Sequence, residues 1–144
     1  RALQGIPESL VRLHICWGSP KGPHVNDLPL REFVDVVLKV KAECFSIEAA
    51  NPRHEHEWEM WQDIKLPAGK SYMPGVIAHI TDHVEHPELI AQRLVRYANI
   101  MGREQVIAGT DCGMGTRVAN AEICWAKMEA MVEGARLATK KLWG

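Results

Sequence analysis

Four side chains suited to holding a soft metal ion are spread along this chain: His14, Cys16, Glu48 and Cys112. His14 and Cys16 are two residues apart in a short apolar stretch, and in an extended strand that spacing sends both side chains off one face. Glu48 closes a second such stretch, and Cys112 follows the last one in the loop Gly109-Thr110-Asp111-Cys112-Gly113. An imidazole, two thiolates and a carboxylate suit tetrahedral zinc better than magnesium or calcium, which prefer oxygen donors. The same residues also fit a plainer description, a histidine at a barrel mouth and two cysteines acting as small buried packing groups. The other two cysteines, Cys44 at a strand start and Cys124 on a helix, read as core.

These donors meet only if the strands carrying them run side by side in one direction. Four times the chain passes from a short β-rich stretch through a loop into a segment with helical period. Strands are expected over 10–17, 44–49, 71–77 and 105–109, and helices over 30–40, 54–63, 86–101 and 121–142. The first helix is read with Phe33, Val36, Val37 and Val40 on one stripe, and the second as a polar helix carrying Trp58 and Trp61. His86-Pro87-Glu88 opens the third and Gly102 stops it. Repeated βα units imply an α/β fold with a parallel sheet, whose strand C-termini share one end. Four such units are half of a (β/α)8 TIM barrel, which typically needs about 250 residues. Residues 1–144 therefore read as one domain, the zinc-binding half of such a barrel. It needs another half, from a second copy, a separate chain or a lost N-terminal segment, because an open four-stranded sheet leaves unpaired edges. A small self-contained doubly wound sheet is the alternative.

Composition narrows the partners. The 17 basic and 18 acidic residues nearly cancel, so no whole-chain field favours nucleic acid or an anionic membrane. No apolar run approaches the roughly 18 residues of a membrane span, and the amino end lacks the order of a secretory signal. The expectation is a soluble cytoplasmic protein whose 4 cysteines are thiols or metal ligands. The chain opens at Arg1, which reads as a chain that has lost something upstream.

Leu13-His14-Ile15-Cys16, Ser46-Ile47-Glu48-Ala49, Pro74-Gly75-Val76 and Asp111-Cys112-Gly113 with Thr116-Arg117 together resemble, in this order, the cobalamin-independent methionine synthases. The match covers what looks like the C-terminal half of their catalytic barrel. The resemblance implies that His14, Cys16, Glu48 and Cys112 bind zinc; Glu48, the hardest donor of the four, is expected to be the exchangeable ligand where the substrate arrives. It further implies a zinc-dependent S-methyltransferase that activates homocysteine or a similar thiol for methyl transfer from a folate. The stretches around Trp17-Gly18, Pro23-His24 and residues 51–57 also look like a shorter branch that includes the epoxyalkane:coenzyme M transferases, which open an epoxide with a thiolate. A third reading is a zinc-binding fragment inactive without the other half-barrel.

After Pro74-Gly75-Val76 the family carries a histidine that resembles a proton donor to the leaving group; the ungapped position here is Ile80, and His79 stands beside it as the candidate. Asp111 is a candidate for ordering the loop or bonding a ligand, and Arg117 for gripping a carboxylate or sulfonate through its fork. Arg53 is a second candidate for an anionic substrate tail. The run His54-Glu55-His56-Glu57 reads as a solvated helix start, since its donors are two apart and do not share a helix face.

Overall fold

Alternation along each strand decides which side chains meet the helices and which face the opposite, concave side. A computed structural model gives the fold and describes residues 2–20, 22–115 and 117–144. Thr116, part of the last motif above, lies outside the described residues. Four strands, β1 (Arg12–Ile15), β2 (Cys44–Ile47), β3 (Ser71–Ile77) and β4 (Gly109–Thr110), form one parallel sheet in the order β1-β2-β3-β4. The register sets His14 beside Ser46 and Ser46 beside Met73, a row along the concave face. Their neighbours Phe45, Ile47 and Tyr72 turn the other way into a core with Leu30, Val34, Val37, Met60 and Trp61. In that core the Trp61 and Tyr72 rings stand 4.8 Å apart and Tyr72 and Tyr97 5.2 Å apart.

Two long helices cover the second half of the sheet. The helix α2 (Pro87–Met101) begins where His86 Nδ1 accepts the Glu88 amide, with Pro87 supplying a preset first turn. The longer helix α3 (Ala121–Trp143) begins where Asn120 Oδ1 accepts the Ile123 amide. They pack with Val76, Ile77, Ile90, Leu94, Ala130 and Ala138 between them and the sheet. Gly134 permits the contact, because a Cβ there would lie 2.5 Å from Ile90. Sequential parallel strands with helices on one face make half of a (β/α) barrel. Among the described residues, β1 and β4 each pair on one side only. No helix among them is long and apolar enough to cross a membrane.

The expected elements over 71–77, 86–101 and 121–142 coincide closely with β3, α2 and α3, and several others are shorter or different. In place of a helix over 30–40 there is a 3-10 turn, Leu30–Glu32, followed by the one-turn helix α1 (Val34–Val37). The buried residues of the two together are Leu30, Val34 and Val37, while Val36 is 67% exposed. The stripe thus begins three residues earlier than expected. The segment Glu55–Gln62 is 3-10 helix, and His54, expected in solvent, is buried. Where a strand over 105–109 is expected, Gln105 closes a 3-10 turn (Arg103–Gln105), Val106 makes a single bridge to Tyr72, and pairing resumes at Gly109. Cys44 is core, whereas Cys124 is half-buried, so only the first matches its expected place.

Candidate metal centre

The concave-face row delivers the first donor. His14 Nδ1 lies 3.1 Å from Ser46 Oγ, which orients the ring, and Nε2 then lies 3.0 Å from Cys112 Sγ. Cys16, two residues on, turns to the same side, and the donor atoms of His14, Cys16 and Cys112 lie within 4.8 Å of one another. A second group, Glu48, His79 and Cys112, meets the same criterion and shares Cys112 with the first. Five donors from the ends of all four strands thus converge.

Glu48 is held there from β4. Asp111, wholly buried, accepts the amides of Ala49 and Ala50 through Oδ1, both at 2.8 Å, and the Asn51 side-chain amide through Oδ2 at 3.0 Å. The residues just after Glu48 are therefore tied to the residue just before Cys112. Gly75 makes room, since a Cβ at that position would lie 1.9 Å from Asp111 Oδ1. Through these bonds Asp111 links the turn after Glu48 to the loop that carries Cys112.

Burial sets the electrostatics of the cluster. Burial pushes the Glu48 carboxyl up from its ordinary range, Asp111 adds to this, and Arg53 opposes it. Burial, with Cys16 and Glu48 as close acidic neighbours, pushes the Cys112 thiol up to about 12. Burial lowers His79, whose protonation Arg53 and Arg117 also disfavour, and the packed protein around His14 lowers it likewise. Among the described residues, Glu48 Oε1 and Oε2 and His79 Nδ1 are buried without a hydrogen-bond partner. Arg53 Nη2 and His79 Nδ1 each stand 3.8 Å from Glu48, too long for hydrogen bonds. Buried polar atoms are normally paired. A divalent ion would supply the missing partner, favour the ionised Glu48 carboxylate and Cys112 thiolate, and suit histidines already held neutral, so the residues fit zinc on their own chemistry.

Several supporting residues lay beyond sequence reading. Ser46 could have been found, because it is two residues before Glu48 on the same strand face. Ser19, whose Oγ lies 2.8 Å from His79 Nε2, sits in an irregular loop with no periodic signal. His54 stacks on Trp17 with ring centroids 3.7 Å apart, and its two nitrogens face Glu57 and Asp27 at 3.1 and 3.3 Å. Arg53 bonds Asp27 at 3.1 Å, so that aspartate ties the loop after β1 to the loop after β2. Trp61 is core, and Trp58 lies under the Arg96 guanidinium.

No curated protein matches the chain. Among solved structures, the chain is similar to a B12-independent methionine synthase from Shewanella sp. W3-18-1 in complex with selenomethionine, with a TM-score of 0.77 at 24% identity. The match covers 99% of this chain and 42% of that one, so the chain spans less than half of its structural relative. That likeness is one of fold. The family model described as "Cobalamin-independent synthase, Catalytic domain" matches residues 9–137. With nearly all of its half-barrel inside that match, the chain belongs to the cobalamin-independent synthase catalytic-domain family.

Proposed function

We propose that this chain is the zinc-holding half of an enzyme that transfers a methyl group to the sulfur of a small thiol, with homocysteine as acceptor class and a methyl-folate as donor class. The observation that carries the reading is the convergence of two thiols, an imidazole and a carboxylate whose oxygens have no other partner. Family membership supports the choice of reaction. His14, Cys16, Glu48 and Cys112 would hold the ion. A zinc ion in such a set acts as a mild Lewis acid that lowers the pKa of an incoming thiol and leaves its sulfur nucleophilic near neutral pH.

The chain's own residues prepare that step. Ser46 fixes the His14 ring, and Asp111 fixes the turn that carries Glu48. Glu48 is the hardest of the four donors, and its partners are too distant to restrain it by hydrogen bonds, so it is the one that yields to an incoming sulfur. Arg53 and Arg117 stand by for anionic substrate groups, Arg53 lining a cavity of about 450 Å³ with His24 and Ile80. His79 is neutral-favouring and bonded through Nε2, which suits it poorly to donating a proton to a leaving group. Both flanks of the concave face are open at the edges of β1 and β4, so the complete site includes a second half-barrel, from a second copy or another segment. A zinc site built on two thiolates suits a reducing compartment such as the cytoplasm.

Metal analysis of the purified chain tests the reading. About one zinc per chain is expected, retained by Cys44→Ser and lost in Cys112→Ser; equal zinc in both variants would defeat the assignment. Methyl transfer from a methyl-folate to homocysteine, assayed with the second half-barrel supplied, tests the chemistry.

A further inference from the structure

Five donors converge where a tetrahedral ion needs four. The outer group, His14, Cys16 and Cys112, opens to the concave surface, whereas Glu48 and His79 are sealed beneath it. The two histidines are held in matching ways. His14 places Nδ1 on the Ser46 hydroxyl and turns Nε2 toward Cys112, and His79 places Nε2 on the Ser19 hydroxyl and turns Nδ1 toward Glu48. A ring nitrogen bonded to a polar group with the other left free is how ligating histidines are usually oriented.

We infer that His79 is a metal donor, forming with Glu48 and Cys112 an inner set that shares Cys112 with the outer one. This rests on the zinc reading above. The free nitrogen is 3.8 Å from Glu48 Oε1, so neither satisfies the other, and an ion beside them satisfies both. Cys112 is then the pivot. With Glu48 yielded to an incoming sulfur, His79 and the shared Cys112 would still hold the ion from the inner side. The substrate sulfur thus has a place to enter without the ion being lost.

The test separates the two sets in the full chain. In Cys16→Ser the outer set loses a thiolate and the inner one is intact, so one zinc should still bind, more weakly, in competition with a chelator. Adding His79→Gln should lower that affinity by a further ~10- to 100-fold. Independently of any His79 variant, cadmium-113 loaded into histidine-labelled Cys16→Ser should show scalar coupling to the His79 ring nitrogen. Equal affinities with and without His79→Gln, coupling to His14 alone, or no ion in Cys16→Ser while the unaltered chain holds zinc would each overturn the inference and leave the zinc reading standing. An unaltered chain that binds no zinc would overturn both.

Discussion

Two regions of this molecule bury charge, and they treat it in opposite ways. Beneath α3, the wholly buried Lys127 ammonium bonds Glu85 at 2.8 Å and the His83 carbonyl, while the other Glu85 oxygen accepts the Ala78 amide. On α2, Arg93 makes a two-pronged bond to Glu55 and reaches the carbonyls of Val76 and Ala50. Each donor there has its acceptor, and each bond ties a helix to a strand end or loop. Around Cys112, by contrast, both oxygens of a carboxylate and one nitrogen of an imidazole are buried without a hydrogen-bond partner. The first arrangement stabilises the fold; the second costs stability and is kept for what it can hold.

The sharpest way to break this comparison is to remove one charge from each region. Lys127→Met leaves Glu85 buried and unpaired, and should cost about 3–5 kcal/mol in denaturant unfolding of the metal-free chain. Glu48→Gln should cost the metal-free chain nothing, or stabilise it, since an unpaired buried carboxyl becomes a neutral amide. If the two lose equal stability, the contrast is wrong. Next in size is the ion itself. Zinc at about a thousandfold excess over its dissociation constant should stabilise the native chain by about 4 kcal/mol, and Cys112→Ser should erase that gain. Because binding displaces the Cys112 proton, held up to about 12, zinc affinity should also climb with pH.

Gly75→Ala comes third. The new methyl meets Asp111, so a loss of about 1–3 kcal/mol is expected in thermal unfolding, accompanied by weaker zinc binding as Glu48 shifts. The smallest effect is in pH dependence without metal. Glu48 is raised in the folded chain, so its contribution is full below the ordinary glutamate pKa and fades as pH rises through the raised value. His14 and His79 are lowered, so theirs are full above the ordinary histidine pKa and fade as pH falls through the lowered values. The stability difference between Glu48→Gln and the unaltered chain should therefore widen on going from acid to neutral pH; a constant difference would show that Glu48 finds a partner after all.

Periodicity carried the sequence reading where neighbours along the chain decide the outcome. The strand 71–77 and the helices α2 and α3 are long or strongly bounded, and the donor residues sit at strand ends where alternation fixes the face. It failed where a distant residue decides. His54 reads as solvated from its own segment, yet Asp27 and Trp17, from the loop after β1, bury it. Val36 fits an apolar stripe, but the helix is one turn long and Leu30 takes the buried place. The unpartnered nitrogen of His79 is illegible in principle, because a missing contact has no local signature.

His14 and Cys112 are 98 residues apart, and the strands between them pair strictly in sequence order. Each pairing therefore closes a modest loop, and the chain can zip from one end to the other without a long-range search. The donor cluster is the part that cannot form until the two ends of the sheet are in register. One of the sheet's two edge strands is β1, four residues that carry His14 and lead directly into Cys16. Fraying of that one strand removes two donors while the helices and the rest of the sheet stay folded. Ion release is thus tied to a local opening, and its rate reports how often the edge peels away, not how often the protein unfolds.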